Sequence, residues 1–242
     1  MPTNDFGQPI GDALPSWIPR PHPPRTSIPG RLCRVEPLNP TTHAGDLYEC
    51  LGAPEHHDGR WTYLPYGPFE HREGFEHWLV KTALSQDPFF FTIVNPGGRA
   101  IGLAAYMRID RANGVIEIGH LNFSRQLQRT AAATEAMYLM LRRAFDELGY
   151  RRYEWKCDSL NAPSRQAALR LGFTFEGLFR QAIVYKQRSR DTTWFSMTDA
   201  EWPARRAAFE AWLAPDNFDA AGAQRQPLSA FMKRFYRTRS IP

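Results

Sequence analysis

The chain has 242 residues, of which 43% are hydrophobic and 13% aromatic, and its formal net charge is +5. This length and composition allow a full core, so we expect one domain with flanking segments. No apolar run approaches the roughly 20 residues of a membrane span, and residues 1–30 lack the basic-then-apolar order of a secretory signal. Cys33, Cys50 and Cys157 have no metal-ligand spacing, which favours reduced thiols in a cytoplasmic protein without a metal.

The first third of the chain combines a proline-rich arm with an aromatic loop. Prolines crowd residues 1–29, which predicts an extended arm that either covers the domain or stays mobile. A first strand is expected at residues 32–35 and a helix at residues 40–51. Residues 61–69 are dense in aromatic and turn residues. This loop is either a wall of a binding pocket or a lid packed on its own core.

The next segment predicts an antiparallel meander. A helix at residues 69–84 precedes strands at 89–94 and 100–109, which are joined by the turn sequence Asn95-Pro96-Gly97-Gly98. The strand at residues 115–123 is apolar on both faces, as expected of a central strand covered on each side. Three consecutive strands therefore lead to the middle of the sheet.

A long amphipathic helix follows at residues 130–148. The expected water-facing side carries Glu135, Arg142, Arg143, Asp146 and Glu147. The buried stripe has helical spacing and consists of Ala133, Ala136, Met137, Met140, Leu141, Ala144, Phe145 and Leu148. Another strand is expected at residues 153–157. A strand on each side of the helix makes a βαβ unit with parallel strands and a right-handed crossover.

The turn that opens this helix, residues 128–133, is a candidate anion site. The first N–H groups of a helix are unpaired and carry partial positive charge, so a turn of short side chains can receive a phosphate. Arg125 and Arg129 would add full charges at its rim. The alternative is an ordinary capped helix with surface arginines.

Two blocks of sequence carry a family resemblance. The first block is residues 128–135. The second consists of Asp158, Asn161 and Ser164, each three residues after the last, followed by Leu171-Gly172-Phe173. Together they resemble the GNAT acyltransferase superfamily, in the branch of the RimJ/RimL-type ribosomal-protein N-terminal acetyltransferases. In that family the turn is usually Gln/Arg-x-x-Gly-x-Gly/Ala and cradles the pyrophosphate of coenzyme A, whereas this chain has Ala131 at the first glycine position.

The resemblance implies an α/β (mixed α+β) GNAT fold. Its mixed central sheet has an antiparallel meander followed by a parallel βαβ unit, with helices on both faces. It also implies acetyl-CoA as co-substrate. The implied cofactor contacts are Leu121, Asn122 and Phe123 for the pantetheine arm, Asn161, and the turn residues Gln128, Arg129, Thr130, Ala131, Ala132, Ala133 and Thr134.

Three residues are candidates for catalysis. Glu117 lies between isoleucines, so burial would raise its pKa towards that of a useful base; the alternative is a structural ion pair with an arginine. His120 points to the other face of a regular strand and would replace Glu117 only if a bulge turned it. The resemblance implies that the Ser164 hydroxyl supports the leaving thiolate, with Tyr185 as the other possible acid because Ala168 occupies the usual tyrosine position.

The expected activity is transfer of an acetyl group from acetyl-CoA to a primary amine within a domain at residues 30–213. A protein N-terminal α-amine is the leading acceptor and a small amine the second. The alternatives are an inactive CoA-binding module and a nucleic-acid binder suggested by a loosely held basic tail at residues 214–242. Nucleic acid is less favoured because the other positive charges are spread along the chain. No membrane partner is expected, and a monomer and a homodimer fit equally.

Overall fold

The computed structural model of the protein describes residues 1–56 and 59–235. Within them, eight strands form one sheet. The strands are β1 (Ile28–Pro29), β2 (Arg34–Pro37), β3 (Phe89–Val94), β4 (Ala100–Asp110), β5 (Val115–Phe123), β6 (Arg152–Asp158), β7 (Thr174–Tyr185) and β8 (Arg188–Thr198). The α-helices are α1 (Pro40–Leu47), α2 (Arg72–Ala83), α3 (Ala131–Arg142), α4 (Ala162–Arg170), α5 (Trp202–Leu213) and α6 (Leu228–Phe235).

The sheet is mixed, with strand order β1-β2-β3-β4-β5-β6-β8-β7. Strands β1 to β5 pair antiparallel in succession. The α3 crossover then makes β6 parallel to β5, while β8 and β7 close the sheet as an antiparallel hairpin. The predicted meander and βαβ unit are confirmed.

Helices cover both faces of this sheet, as predicted. On one face, buried side chains of α3 and α5 belong to the same core cluster as Ile116 and Ile118 of β5. On the other, Leu47 of α1 and Phe75 of α2 pack with Leu103 of β4. No helix in the described ranges combines the length and apolar character needed to cross a bilayer.

Two charged side chains of α3 and its continuation, expected in water, are buried instead. Glu135 is 5% exposed and accepts hydrogen bonds from the main-chain N–H groups of residues 31–33 at 2.6–3.1 Å. Arg143 is 4% exposed and donates to the carbonyls of Thr26, at 2.6 Å, and Ser27, at 3.1 Å. The end of the N-terminal arm and residues 31–33 that follow it therefore cover the domain at this point, and their backbone groups satisfy the buried charges.

The C-terminal segment also differs from the expectation of a loose tail. Residues 228–235 form α6, and Leu228, Phe231 and Met232 are buried in the same core cluster as α5. Burial of three large apolar side chains fixes this segment against the domain. The rest of the predicted tail, residues 236–242, lies outside the described residues.

Candidate functional site: a groove where two parallel strands part

The site begins where β5 and β6 separate. The two strands pair from Val115–Arg152 to Ile118–Trp155 and not beyond. At the same level β5 bulges against β4, because the register passes from Ala105–Gly119 directly to Leu103–Asn122. A bulge bends its strand and ends regular pairing. The result is a gap in the middle of the sheet, from which a groove of about 1220 Å³ extends.

The groove is positively charged. The described residues that line it include three arginines, Arg60, Arg129 and Arg170, and no aspartate or glutamate. The lining comes from the end of β5, the first turn of α3, the length of α4, the loop at residues 59–63 and the segment after α5. An elongated anionic ligand suits this charge distribution.

The first turn of α3 presents main-chain donors to the groove. Thr130 caps the helix, since its hydroxyl accepts the N–H of Ala133 at 3.2 Å. The N–H groups of Ala131 and Ala132 have no acceptor among the described residues. Arg129, at φ +62°, adopts the left-handed backbone conformation of this turn. Ala131 is the first residue of α3 and has ordinary helical geometry, so this position does not require glycine. Unpaired N–H groups at a helix N-terminus are of the kind that binds anions; Ala131 lines the groove, whereas Ala132 lies outside the lining.

The parted end of β5 forms the next section of the wall through Leu121, Asn122 and Phe123. The Asn122 side chain is 2% exposed, and neither its Oδ1 nor its Nδ2 has a hydrogen-bond partner in the described chain. A buried polar group left unpaired costs about 1–3 kcal/mol. The Gln128 amide donates to the Phe123 carbonyl at 2.8 Å and ties the strand end to the α3 turn.

The start of α4 forms the facing wall. Asn161 caps this helix by accepting the N–H of Ser164 at 3.1 Å. The Ser164 hydroxyl accepts a hydrogen bond from the Trp155 indole at 3.0 Å. A hydroxyl that accepts one bond still carries its own proton for donation. Ser164 therefore lies in the groove with a donor available.

Thr134, on the next turn of α3, also lines the groove, but its hydroxyl is already engaged. It accepts a hydrogen bond from Arg170 of α4 at 3.0 Å. The same guanidinium lies 5.5 Å from the centroid of the Trp212 ring in α5. Arg170 thus connects three helices at the far end of the groove.

Glu117 does not line the groove. It is 3% exposed, and its Oε2 lies 2.9 Å from Nζ of Lys156 and 3.5 Å from Nε of Arg108. Burial raises the pKa of Glu117, and the Lys156 charge opposes that effect. Lys156 is also 2.6 Å from Glu154. The ion pair weighed as the alternative role of Glu117 is therefore present, with a lysine as the nearer partner.

The bulge brings His120 to the face that carries Glu117. His120 has φ +51°, its ring stacks 5.5 Å from that of Tyr66, and Nδ1 lies 3.2 Å from the Tyr66 hydroxyl. Burial, aided by the positive charge of Arg108, lowers the pKa of His120 to about 4. The imidazole is neutral at pH 7, and it also lies outside the groove lining.

The aromatic loop has both of the roles considered for it. Trp61 and Leu64 are buried in the cluster around α1 and α2, so much of the loop packs on its own core. Tyr63 instead lines the groove, and its hydroxyl donates to the Leu160 carbonyl at 3.1 Å. Lys186, in the turn between β7 and β8, donates to the Trp61 carbonyl at 2.8 Å and closes this end.

Tyr185 ends β7 beside this closure. Its hydroxyl donates to Oδ2 of Asp158 at 2.8 Å. Burial, together with the Asp158 carboxylate, raises the pKa of Tyr185 to about 12. Of the two predicted choices for the acid, Ser164 lines the groove and Tyr185 does not.

Several lining residues were not predicted. Arg60 and Arg170 lie in a loop and on a helix that the motifs do not single out, and Trp212 and Phe218 come from the segment expected to end the domain. Only the spacing of the α4 motif could have indicated Arg170. No group of metal-ligating side chains is found among the residues that the structure describes.

The comparisons define the class of protein. Residues 33–174 match the family model described as the acetyltransferase (GNAT) domain. A GCN5-related N-acetyltransferase from Brucella melitensis is 48% identical with a TM-score of 0.88, over 91% of this chain and 100% of that chain. The uncharacterized N-acetyltransferase YokL of the SPbeta prophage of Bacillus subtilis is 30% identical over 123 residues, 51% of this chain and 69% of that protein.

The protein is therefore an acyltransferase, and the chain belongs to the GNAT acetyltransferase family. A more distant structure is an acetyl transferase from Salmonella typhimurium that modifies the N-terminal serine of the 50S ribosomal subunit protein L7/L12. It is 16% identical with a TM-score of 0.61, over 71% of this chain and 98% of that chain. At this identity the likeness shows the fold alone.

Proposed function

We propose that the protein transfers the acetyl group of acetyl-CoA to a primary amine by direct attack of the amine on the thioester. The observation that carries this proposal is the groove, which contains three arginines and no acidic side chain in its described lining. Its volume, about 1220 Å³, exceeds the roughly 300–1,000 Å³ of ordinary small-molecule pockets. A long cofactor with several phosphates accounts for both the size and the charge.

The residues present fit this cofactor. The free N–H groups of Ala131 and Ala132, beside Arg129, would hold the diphosphate. Leu121 to Phe123 would hydrogen-bond the pantetheine arm as an added strand, and the Asn122 side-chain amide at this strand end has no partner for its NH2 donor or its carbonyl acceptor among the described residues. Asn161 lines the facing wall. When bound, acetyl-CoA supplies the activated acyl group.

The reaction needs a base for the amine and a donor for the leaving thiolate. The new C–N bond forms as the C–S bond breaks, and the surplus proton of the amine passes to the base. We assign the base to Glu117, acting through water because it lies outside the groove lining, with His120 as the second candidate. The Ser164 hydroxyl would donate a hydrogen bond to the departing thiolate and keep its proton.

The proposed acceptor is a protein N-terminal α-amine, as in the RimJ/RimL branch that the motif spacing resembles, with a small amine as the second choice. The cytoplasm, where such acceptors and acetyl-CoA occur, is the proposed location. A second function, CoA binding without catalysis, is favoured by one observation, the engagement of Glu117 by Lys156 at 2.9 Å.

Thiol release from acetyl-CoA tests the proposal. The acceptors would be peptides with free N-termini, the same peptides with acetylated N-termini as the matched control, and a panel of small amines. Free peptides are expected to release CoA thiol and blocked peptides are not. CoA binding without release on any acceptor would favour the inactive module, and absence of binding would overturn the proposal.

A further inference from the structure

The segment after α5 lines the same groove as the first turn of α3. Residues 217–226, here called the C-terminal loop, contribute Phe218 and residues 222–224 to its wall. They lie more than 40 residues beyond the end of the family match at residue 174. We propose that the C-terminal loop binds the nucleotide end of the CoA thioester. This inference rests on the proposed function, since it concerns the same groove.

The C-terminal loop is held in shape by its own hydrogen bonds. Asn217 is 6% exposed; its Oδ1 accepts the N–H of Gln226 at 3.0 Å, and its Nδ2 donates to the carbonyls of Gln226, at 3.2 Å, and Trp212, at 3.0 Å. Asp219 accepts two main-chain N–H groups within the loop, both at 2.9 Å. The carboxylate of Asp219 is therefore used inside the loop, and α6 anchors the chain that follows it.

The chemistry of this wall suits a phosphorylated nucleoside. The half-buried Phe218 ring and the exposed edge at residues 222–224 offer an apolar surface and a polar rim. Gln224 accepts the Trp212 indole N–H at 2.9 Å, which leaves its own amide N–H groups for a ligand. Arg170 supplies a positive charge against the Trp212 ring. An adenine base packs on apolar or aromatic surface, and a phosphate pairs with a guanidinium.

The position of the C-terminal loop along the groove selects the nucleotide end. The parted end of β5 adjoins the first turn of α3, because the Gln128 amide donates to the Phe123 carbonyl at 2.8 Å. A chain of contacts leads from α3 to the C-terminal loop: Arg170 donates to Thr134, its guanidinium lies 5.5 Å from the Trp212 ring centroid, and the Trp212 indole donates to Gln224. With the diphosphate at the α3 turn, the thioester extends towards the strands. The nucleotide then extends towards the C-terminal loop.

A negative charge introduced into the loop tests the inference. Ala223→Glu places a carboxylate on the groove wall, whereas Ala221→Glu makes the same change in the same loop outside the groove lining. Ala223→Glu is expected to raise KM for acetyl-CoA and Kd for CoA about three- to tenfold, by repulsion of the nucleotide phosphates. Ala221→Glu is expected to match the wild-type protein. With acetyl-pantetheine, which lacks the nucleotide, both variants should match it.

The outcomes are distinguishable. Equal KM values for the two variants with acetyl-CoA, or an equal rise with acetyl-pantetheine, would overturn the role of the C-terminal loop. Absence of CoA binding by the wild-type protein would overturn the proposed function instead. If Ala223→Glu lowers Tm, Ala223→Lys gives the same test with the opposite sign, since it should decrease Kd for CoA and leave KM for acetyl-pantetheine unchanged.

Discussion

Lys156 controls the ionisation of Glu117, and its replacement by methionine should move the acid limb of the pH–rate profile upwards. The pair is buried, with side chains 5% and 4% exposed, and its atoms are 2.9 Å apart. At an effective dielectric constant of about 20, the gross attraction is about 6 kcal/mol. Lys156 is shared with Glu154, and Arg108 stays 3.5 Å from Glu117 in the variant. We therefore expect a shift of about 1–3 pH units, typical of one opposite charge.

The assay is kcat/KM for acetyl transfer as a function of pH. In the proposed mechanism the ionised Glu117 carboxylate is the base, so kcat/KM should rise with pH through the Glu117 pKa. Lys156→Met raises that pKa and moves the rise to higher pH. Folding gives a second readout with a defined sign. A carboxyl whose folded-state pKa is raised stabilises the protein at low pH and loses that contribution as pH increases, so the Tm deficit of the variant should shrink on acidification.

Glu117→Gln is the matched variant, because it keeps the shape of the side chain and removes the charge. It should abolish the acid limb and leave the Kd of CoA unchanged. An acid limb in Glu117→Gln identical to that of the wild-type protein would remove Glu117 as the base. If the acid limb of the pH–rate profile of Lys156→Met stayed at the wild-type pH, the proposed electrostatic effect of Lys156 on the Glu117 pKa would be refuted.

Three further variants test other contacts. Glu135→Gln should lower the free energy of unfolding by about 1.5–3 kcal/mol and lower Tm, because a carboxylate that accepts three buried N–H groups becomes an amide. Glu147→Gln, at a side chain that is 45% exposed, is the control. Leu228→Ala should lower the free energy of unfolding, measured by chemical denaturation, by about 2–5 kcal/mol, whereas Ser229→Ala, at an exposed position, should leave it almost unchanged. Equal stabilities of the two variants would show that α6 is not packed on the domain. Asn122→Leu should preserve or raise Tm, because an unpaired buried amide is removed, yet raise KM for acetyl-CoA; an unchanged KM would contradict a ligand contact.

The elements with strong local signals were predictable. The bounds of β3 and β5 match the expectation residue for residue. Thr130 caps α3 as its sequence indicates. These features depend on residues within a few positions of one another, so the sequence contains them in full.

The features missed depend on distant partners. Burial of Glu135 requires backbone N–H groups about 100 residues away, and helical periodicity alone places a glutamate in water. The register slip in β5 at His120 depends on pairing with β4, so neither the face nor the stacking of His120 could be settled beforehand. The C-terminal loop lies between α5 and α6, which pack on each other, and helical periodicity does not reveal that contact.

Calorimetric titration of the full chain with acetyl-CoA tests the cofactor groove most directly, with Ala131→Glu as the variant and Ala200→Glu, an equal change of charge outside the groove, as its control. Ala131 opens α3, where a carboxylate is favourable to the helix, so folding should be preserved. We expect saturable heat with the wild-type and Ala200→Glu proteins and at least about tenfold weaker binding by Ala131→Glu, because the new carboxylate repels the diphosphate. No heat with the wild-type protein at millimolar acetyl-CoA, or equal affinities in all three proteins, would contradict the assignment of the cofactor groove to the first turn of α3.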